Sequence, residues 1–540
     1  MNEFSDIVIV GSGFGGSVSA VNLAEAAARD NLNLKITMLE KGHDFYDLDP
    51  KTLWKYRNDQ GNGFRQTLDV AYTSRLMDVS VSPPDLTNMR KFPQFVIGNG
   101  RGVGGGSLVY YAVSLRAPNS IFGQKDDKGR ALWPSHLSRQ ALDPYYKRLE
   151  TNLKVARLAW SDRDGAEPWQ LCSRRDYIFA QGCLAAGVTA EPLKVATHKD
   201  ANDGWWTSGH RHGGRQHLPL NYLRQAKNAG VEIESDCQVK SIAPNGDGYV
   251  LTVQDNRSNT TRTIECRILI LSGGVTGSMK ALLDSEENFK GTRSFSETLG
   301  TNISGNGDYL LSGTIGKQYR TDNYKGKPMS SFCPSYWNDH KFLLIPMDSP
   351  PFPFAFGQPA DFDYPKNPEA TGRASTEARN PYFWGREYMK VAGSFGSNLL
   401  SVGILCLDNR EGRVNRDMTK MGRLFVEWPE THPETEKRWA TATKYVRNIF
   451  NALDGEIFAD MYRTRGTVGT VHPLGGCSMG ANKDTGVVSP WGEVFGNKNL
   501  FVIDGSIIPS ALGVNPSLTI GAVADMLSSR LGTELSNRMQ

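Results

Sequence analysis

A strand pattern, a glycine-rich turn and a helical pattern follow one another at the N-terminus, and this order predicts an α/β fold. The apolar run from Asp6 to Val10 is rich in β-branched residues and ends at the turn GSGFGG. The next segment, SVSAVNLAEAAARD, carries small and apolar residues at helical spacing. Two more apolar strands, ECRILILSGG and NLFVIDGS, end in glycine much later in the chain. We therefore predict a Rossmann-like domain that is assembled from discontinuous segments.

The N-terminal turn matches the dinucleotide-binding pattern G-x-G-x-x-G. Its candidate cofactor-binding residues are Gly11, Gly13, Phe14, Gly15 and Gly16. Such glycines permit a tight turn, let a pyrophosphate approach the backbone and let the helix pack closely on the strand. The next strand, LKITMLE, ends in Glu40, roughly 24 residues after Gly16. We predict that the helix N-terminus binds a pyrophosphate and that Glu40 accepts hydrogen bonds from ribose hydroxyls. This disfavours NADP, because the carboxylate repels a 2′-phosphate.

The bulk composition is that of a globular chain with an excess of glycine. Of the 540 residues, 39% are hydrophobic and 22% are charged, and the 56 glycines exceed the usual share of roughly 7%. A chain of this length can form two or more domains. Lys and Arg total 61 against 57 for Asp and Glu, so the formal charge is only +4, and no basic tract occurs. We therefore expect no nucleic acid partner.

Cysteine usage and hydropathy bear on the compartment. The seven cysteines are scattered, and none forms a C-x-x-C pair, so neither a disulfide framework nor a zinc site is predicted. No charged start with an apolar stretch precedes the first strand, and nowhere do about 18 apolar residues run together. We expect a cytoplasmic protein without a transmembrane segment. A leader removed earlier and transient contact with a membrane are left open.

A second glycine-rich segment lies between the first two predicted strands and the middle of the chain. Six glycines occur between Gly98 and Gly106 in the sequence GNGRGVGGGSLVYYAV. Such a run does not form a helix or an ordinary strand, because each glycine loses much backbone entropy and buries no side chain. The apolar SLVYYAV that follows favours a close, buried approach to a ligand over a flexible surface loop.

The middle of the chain alternates helix and strand patterns and then changes character. HLPLNYLRQAKNAG predicts a helix, and VEIESDCQVKSIAP and GYVLTVQD predict a strand pair that leads into ECRILILSGG. From residue 300 to residue 460, aromatic residues occur among many prolines. This region is either a core with rigid loops or an apolar substrate pocket with a lid.

The last block contains the strongest candidates for chemistry. VHPLGGCSMG, residues 471–480, places His472 among residues that set the backbone without bulk. Imidazole handles protons near neutral pH because its unperturbed pKa is about 6.5, although a histidine that merely satisfies a turn is the alternative. Further on, GVNPSLTIGAVA predicts a helix with Asn515 at the N-cap and Pro516 at the first helical position.

Two other patterns are weaker. His210, His212 and His217 have no cysteine or carboxylate at ligand spacing, so a polar loop is favoured and no metal is predicted. Cys477 lies five residues after His472, but its small neighbours indicate a buried thiol rather than a nucleophile.

Taken together, the chain resembles the glucose-methanol-choline (GMC) oxidoreductases, and within them the bacterial cholesterol oxidase branch. The segments that carry the resemblance are the glycine fingerprint with Glu40, GRGVGGGSLV, HPLGGC, LFVIDGSIIP and GVNPSLTIGAVA, in the same order and at similar spacing. The resemblance implies FAD and an FAD-binding domain from residues 1–120, 226–300 and 461–540. It also implies an α+β substrate domain from residues 121–225 and 301–460, whose antiparallel sheet covers the flavin.

The resemblance also implies roles for individual residues. His472 and Asn515 match the family's active-site pair, and the helix that starts at Pro516 directs its positive end at the flavin. The resemblance further implies contacts with the cofactor. Gly104 and Ser107 would lie along the flavin, the Val239 backbone would contact the adenine, and Asp504 with Gly505 would contact the ribityl-diphosphate.

The implied reaction is oxidation of an alcohol to a carbonyl compound by hydride transfer to flavin N5. His472 acts as base or hydrogen-bonding group and Asn515 orients the hydroxyl, while electrons pass to oxygen or another acceptor. We expect an apolar or bulky alcohol: sterol-like, terpenoid, aryl or long-chain. Leu343 stands where cholesterol oxidases carry an isomerising carboxylate, so steroid isomerisation is not expected. VYYAV is also bulkier than the matching segment of the steroid enzymes.

Three alternatives remain at this point. Some relatives use the same scaffold for lyase or decarboxylase chemistry without net oxidation. An NAD-dependent dehydrogenase would carry the same fingerprint. A catalytically silent flavin-binding protein is disfavoured because both His472 and Asn515 are present.

Overall fold

The computed structural model describes most of the chain. It covers residues 3–44, 77–81, 95–157, 172–198, 214–323, 326–348, 397–416, 424–428, 432–460 and 468–540. Much of the aromatic and proline-rich part of the 300–460 region, and both His210 and His212, therefore lie outside the described residues.

The described residues form twenty strands and eight helices. The strands are Glu3–Val10 (β1), Ile36–Leu39 (β2), Met77–Val81 (β3), Phe95–Gly100 (β4), Ala156–Arg157 (β5), Glu191–Pro192 (β6), Lys194–Val195 (β7), Glu232–Glu234 (β8), Cys237–Asn245 (β9), Gly248–Asp255 (β10), Thr261–Leu271 (β11), Tyr309–Thr314 (β12), Ser331–Phe332 (β13), Phe342–Met347 (β14), Leu399–Cys406 (β15), Arg413–Val414 (β16), Val426–Glu427 (β17), Glu456–Asp460 (β18), Val468–Thr470 (β19) and Leu500–Val502 (β20). The helices are Phe14–Arg29 (α1), Arg139–Asn152 (α2), Arg174–Ala185 (α3), Tyr222–Asn228 (α4), Gly274–Asp284 (α5), Trp337–His340 (α6), Pro433–Ala452 (α7) and Ser517–Arg538 (α8).

The largest sheet has seven strands in the order β8-β2-β1-β11-β10-β9, and β20 also pairs with β11. β8, β2, β1, β11 and β20 run parallel, whereas β9 and β10 form an antiparallel hairpin beside β11. β11 holds both groups, since its first half pairs with β10 and its last residues pair with β20. Because these strands come from three distant parts of the chain, the predicted α/β fold with a discontinuous Rossmann-like sheet is confirmed.

The central strands are buried on both faces, as parallel strands covered by helices must be. Residues 7–9 of β1 and residues 268–271 of β11 are fully buried. Helices α1 and α8 pack side by side, and the carboxamide of Asn22 donates to the Asp525 carboxylate at 2.8 Å between them. The first and the last described helix therefore share one layer.

The predicted strand VEIESDCQVKSIAP is divided in the structure. The chain turns at Asp236, which has a left-handed φ of 59° and donates its backbone N–H to the Gly42 carbonyl at 2.9 Å. β8 before the turn pairs with β2, and β9 after it pairs with β10. The predicted pairing with GYVLTVQD is therefore confirmed for residues 237–245 and wrong for residues 232–234, because a tertiary contact at Asp236 ends the first strand.

A second sheet has four antiparallel strands in the order β14-β15-β12-β18. The amphipathic helix α7 packs on it through buried residues that include Val446, Ile449 and Phe450. Every residue of β15 is buried, so this sheet is covered on both sides. This antiparallel layer with a packed helix agrees with the predicted mixture of α/β and α+β architecture.

A small third sheet links two segments that the sequence singled out. β4 pairs in parallel with β19 and antiparallel with β3. β4 includes Gly98 and Gly100, so the expectation that the glycine-rich run forms no strand was wrong for its first residues, which pair with β3. The rest of that run follows β4, and the segment that carries His472 follows β19. Parallel pairing places the carboxyl ends of these two strands at the same edge, so both segments leave the sheet side by side.

Across the described part of the chain, no helix combines the length and the apolar character that crossing a membrane requires.

Candidate active site

The N-terminal fingerprint lies where three parallel strands end. Gly11, directly after β1, donates its N–H to the Leu39 carbonyl of β2 at 2.8 Å, and Ser272 after β11 donates to the Val10 carbonyl at 2.7 Å. Helix α1 then begins at Phe14, with Gly13 at its N-cap. Its first turn consists of Phe14, Gly15 and Gly16, all buried. The free N–H groups of this turn form the positive end of a helix that is otherwise enclosed.

Glu40 lies at the carboxyl end of β2 and is buried. Its carboxylate accepts hydrogen bonds from the Ser12 hydroxyl at 2.7 Å, the Ser12 N–H at 3.2 Å and the Gly42 N–H at 2.9 Å. The Glu40 carbonyl accepts the Cys237 N–H at 2.8 Å, which starts β9 two residues before Val239. The structure thus brings Glu40 and Val239 to the same end of the sheet as the fingerprint, and their contacts with ribose and adenine stay predictions.

The glycine-rich loop packs directly on the fingerprint. The Gly104 N–H donates to the Ser12 hydroxyl at 3.0 Å, and a Cβ added to Gly105 would lie 2.9 Å from the Gly13 Cα. Ser107 donates its hydroxyl to the Gly104 carbonyl at 2.7 Å and accepts the Leu218 N–H at 3.1 Å. Only a residue without a side chain allows two backbones to approach this closely.

Asp504 connects β20 to the rest of the site. Its buried carboxylate accepts four hydrogen bonds, from the N–H and hydroxyl of Ser506, the Gly274 N–H and the Ser278 hydroxyl, at 2.5–2.9 Å. Burial raises the pKa of Asp504 above its usual value. The carbonyl of the next residue, Gly505, accepts the Gly475 N–H at 3.1 Å. Asp504 and Gly505 therefore hold the start of α5 and the HPLGG segment against the end of β20.

His472 and Asn515 are in direct contact. The Asn515 side-chain amide Nδ2 lies 3.1 Å from His472 Nε2. The Asn515 side chain is almost fully buried, and its carbonyl oxygen Oδ1 accepts no hydrogen bond from any residue that the structure describes. The structure thus joins two residues 43 positions apart that the sequence proposed as a pair.

The start of helix α8 differs from the prediction by one residue. The helix begins at Ser517 with Pro516 at the N-cap, and the Pro516 carbonyl accepts the Ile520 N–H at 2.8 Å. Asn515 therefore precedes the cap, and the prediction of Asn515 as the N-cap was wrong. The reason is that its carboxamide is directed at His472, where it makes a tertiary hydrogen bond instead of a local one.

A carboxylate that the sequence did not reveal completes the group. His472 Nδ1 lies 2.9 Å from Asp308 Oδ1. The other carboxylate oxygen accepts the Thr470 hydroxyl at 2.9 Å and the Val471 N–H at 3.2 Å. Asp308 stands one residue before β12, at the end of the segment SGNGD. Its sequence signal was weak: a carboxylate in a turn rich in glycine and asparagine, far along the chain from His472.

These contacts assign the tautomer of His472. A carboxylate only accepts hydrogen bonds, so His472 Nδ1 carries the hydrogen that is donated to Asp308. In the neutral imidazole, His472 Nε2 then holds a lone pair, which accepts the amide hydrogen of Asn515. The imidazole thus presents a proton-accepting atom beside Asn515, with a negative charge behind it.

Two further residues that the sequence singled out are buried. Burial strongly raises the pKa of the Cys477 thiol, so the thiol is protonated near neutral pH and is a poor nucleophile. Leu343, in β14, is buried opposite Leu405 of β15. Of His210, His212 and His217, for which the sequence favoured a polar loop, only His217 is described, and it is buried.

The site fits a dinucleotide cofactor. Around Gly13 and Gly106, on the two glycine-rich turns, an added Cβ would meet no described atom within 4 Å, although Ser12, Gly105 and Ser107 beside them are buried. A cradle of bare backbone therefore lies at the N-terminus of α1, where an anionic pyrophosphate is stabilised. The fold and the site together define a dinucleotide-dependent α/β protein with a histidine and an asparagine in contact.

Two family models match the chain, and both are described as GMC oxidoreductase. The N-terminal model matches residues 5–288, and the C-terminal model matches residues 410–524. Since the first match alone spans more than half of the 540 residues, the chain belongs to the GMC oxidoreductase family. The predicted family is confirmed. The protein is thus an FAD-dependent oxidoreductase of the alcohol oxidase or dehydrogenase class, and the NAD-dependent alternative is set aside.

Named relatives match over almost the entire chain at low identity. A cholesterol oxidase of Mycobacterium tuberculosis is 25% identical over 97% of this chain and 90% of its own length. A long-chain-alcohol oxidase of Arabidopsis thaliana is 22% identical over 98% of this chain and 68% of its own length. The crystal structure of pyridoxine 4-oxidase from Mesorbium loti superimposes with a TM-score of 0.63 and 15% identity, covering 97% of this chain and 99% of the other. The structural match shows a shared fold.

A second buried carboxyl group lies next to the Asp308 segment. Asp408 accepts the Gly307 N–H at 2.9 Å and the Arg410 N–H at 3.0 Å. Burial and the neighbouring Glu411 carboxylate raise the pKa of Asp408 to about 6. Between its ordinary pKa of 3.8 and about 6, the folded protein holds a proton that the unfolded chain has released. The stability that the Asp408 carboxyl group contributes to the folded protein is therefore fully present below pH 3.8. It is lost as the pH rises through about 6.

We expect Asp408→Asn to weaken this pH dependence. In the wild-type protein, the free energy of unfolding should fall by on the order of 2 kcal/mol between pH 4 and pH 7 on account of this carboxyl group. The variant cannot ionise there and should lose that part of the decrease, as measured by urea denaturation at several pH values. Asp247→Asn, in the exposed β9–β10 turn, is the control. Equal pH dependence in wild type and Asp408→Asn would contradict the expectation.

Proposed function

We propose that the protein oxidises an alcohol to a carbonyl compound, with FAD as the hydride acceptor and with His472 and Asn515 at the reacting hydroxyl. The observation that carries the proposal is the 3.1 Å contact between Asn515 Nδ2 and His472 Nε2, with Asp308 2.9 Å from the opposite ring nitrogen. This arrangement provides a donor and a proton acceptor side by side, which alcohol oxidation requires of the protein.

The two side chains suit one hydroxyl group. An oxygen about 3 Å from both His472 Nε2 and Asn515 Nδ2 accepts the amide hydrogen and donates its own hydrogen to the imidazole. The substrate then takes over the hydrogen bond that His472 and Asn515 make with each other. Because both side chains are held by the fold, the carbinol carbon has a defined direction relative to the cofactor cradle.

His472 accepts the hydroxyl proton at Nε2 and becomes an imidazolium. Asp308 stabilises that cation through the hydrogen bond to Nδ1 and keeps the ring oriented. The Asp308 carboxylate is itself held by the Thr470 hydroxyl and the Val471 N–H, so it cannot rotate away without losing both hydrogen bonds. The negative charge of Asp308 beside Nδ1 therefore favours transfer of the hydroxyl proton to Nε2.

Bound FAD supplies the hydride acceptor that side chains do not provide. The residues that would hold it are the fingerprint residues Gly11, Gly13, Phe14, Gly15 and Gly16 with Glu40 and Val239 on the adenosine side, and Gly104, Ser107, Asp504 and Gly505 on the flavin side. The N-terminus of α8 follows Pro516 directly, and its positive end stabilises negative charge beside Asn515 by about 0.3–1 kcal/mol.

We propose an apolar or bulky alcohol as the substrate class. Tyr111 donates its hydroxyl to the Asp348 carbonyl at 3.2 Å, which connects the glycine-rich loop to the end of β14. β14 carries the buried Leu343. Val471, directly before His472, has an exposed apolar side chain. Cholesterol and long-chain alcohols in the names of the relatives agree with this class, and oxygen or another acceptor takes the electrons.

The decisive experiment is anaerobic mixing of the yellow holoenzyme with alcohols. We expect at least one of cholesterol, a terpenoid alcohol, benzyl alcohol or 1-dodecanol to bleach the flavin absorbance and to yield the matching carbonyl compound. A lyase or decarboxylase would convert its substrate and leave the yellow spectrum unchanged. Admitting air afterwards and measuring hydrogen peroxide separates an oxidase from a dehydrogenase.

His472→Ala should retain FAD and slow flavin reduction by roughly 10²–10⁴-fold, the usual contribution of a positioned acid-base group. Stopped-flow absorbance under anaerobic conditions measures this rate, and the bound flavin per protein checks the fold. His432→Ala, at the N-cap of α7, is the matched histidine control and should reduce at the wild-type rate. A wild-type rate in His472→Ala would reject the assigned role.

Asp308→Asn should slow flavin reduction by about 10- to 100-fold, because a hydrogen bond to a charged group contributes roughly 1.5–3 kcal/mol. The carboxamide has nearly the same shape but no negative charge for the imidazolium. If Asp308 acts through His472, the substitution has little further effect in the His472→Ala background. Equal losses in both backgrounds would show that Asp308 does not act through His472.

A further inference from the structure

We infer that one short turn, Ser304–Asp308, positions both members of the His472–Asn515 pair, with Asn306 as the positioning residue for Asn515. We call this segment the clamp turn. The inference rests on the proposed function, since it concerns how the two side chains reach their working distance. Neither Asn306 nor any other member of the clamp turn was a site candidate in the sequence.

Asn306 is fully buried and binds the backbone that leads into Asn515. Its carbonyl oxygen Oδ1 accepts the Leu512 N–H at 2.8 Å and the Gly513 N–H at 3.1 Å. Its amide nitrogen Nδ2 donates to the Val514 carbonyl at 2.8 Å. One carboxamide therefore binds backbone groups of three consecutive residues, 512–514, and the next residue is Asn515.

The other end of the clamp turn binds the His472 segment. Asp308 accepts hydrogen bonds from Thr470, Val471 and His472. Ser304 forms a two-way backbone bridge with Leu474, in which the N–H to carbonyl distances are 2.8 and 3.0 Å. The segment around His472 is thus held on both sides of the histidine.

The shape of the clamp turn is tightly determined. Asn306 and Gly307 both have left-handed backbone conformations, with φ of 56° and 60°. Asparagine tolerates this conformation better than most residues. At Gly307, an added Cβ would lie 2.5 Å from the Cys406 carbonyl oxygen, so a side chain there would collide with β15. The Gly307 carbonyl also accepts the Trp439 indole N–H at 3.2 Å.

Asn306 makes no hydrogen bond to the Asn515 side chain among the described residues, so its effect passes through the backbone. The separation of Asn515 Nδ2 and His472 Nε2 depends on where residues 512–514 lie relative to residues 470–474. Both stretches are held by the five residues of the clamp turn. A displacement of about 1 Å in such a pair can reduce a rate by roughly 10²-fold.

Two variants of Asn306 separate this role from general stability. Asn306→Gly keeps the left-handed backbone accessible and removes the carboxamide. Asn306→Asp keeps an acceptor for the Leu512 and Gly513 N–H groups and loses the donor to Val514. Asn499→Gly is the matched control, because Asn499 is also buried and left-handed, with φ of 65°, and its carboxamide oxygen accepts a hydrogen bond from Arg538 at 2.9 Å.

The readout is the limiting rate of anaerobic flavin reduction in the holoenzymes, measured by stopped flow with the fastest member of the panel of cholesterol, benzyl alcohol and 1-dodecanol. Asn306→Gly should be slower by about 10- to 100-fold with full flavin content, and Asn306→Asp by less. Asn499→Gly should keep the wild-type rate even where urea denaturation shows a similar loss of stability. If Asn306→Gly does not fold, the Asn306→Asp arm decides.

The double variant with Asn515→Ala completes the test. If Asn306 acts through Asn515, Asn306→Gly should add little to the loss of flavin-reduction rate that Asn515→Ala causes. Wild-type rates in both Asn306 variants, or losses that multiply in the Asn515→Ala background, would overturn the inference and leave the proposed function standing. If no alcohol bleaches the wild-type flavin, the proposed function fails and the inference fails with it.

Discussion

The hydrogen bonds that the clamp turn makes with two distant segments are the constraint on which the candidate active site depends. His472 follows β19 of the small third sheet. Asn515 precedes helix α8, which packs beside α1. Asp308 and Asn306 join these two segments by side-chain to backbone and side-chain to side-chain hydrogen bonds. The hydrogen bonds of Asn306 are buried and therefore costly to leave unmade, so they hold the backbone before Asn515 in place.

The cofactor side of the site is built by a different device, the close approach of backbones. The glycine-rich loop packs on the fingerprint near Gly105 and Gly13, and Glu40 and Ser12 join the two turns by hydrogen bonds. At Gly13 and Gly106, an added Cβ would meet no described atom within 4 Å. The excess of glycine in the composition thus has a local cause: the chain repeatedly needs bare backbone at the ends of β1, β4 and β11.

Much of the fold and part of the site were predictable, because the relevant signals are local. The fingerprint, the strand that ends in Glu40 and the buried strand before Gly273 each combine a periodic pattern with a turn residue. The segment VEIESDCQVKSIAP was misread as one strand. The chain turns at Asp236, where the Asp236 N–H donates to the carbonyl of Gly42, a residue distant in sequence. Asp308 was missed for the same reason, since no pattern in SGNGD indicates that its carboxylate reaches His472.

The sequence by itself predicted the α/β class and the dinucleotide fingerprint, since these follow from residue types at short spacing, and its resemblance to a known family indicated the family and the candidate pair. Only the tertiary structure decided which nitrogen of His472 faces Asn515, what holds Asn515 and where the carboxylate behind the imidazole comes from. Those features depend on hydrogen bonds between segments whose separation in the chain is large. Such bonds are set by how sheets and helices pack, and local residue patterns do not encode that packing.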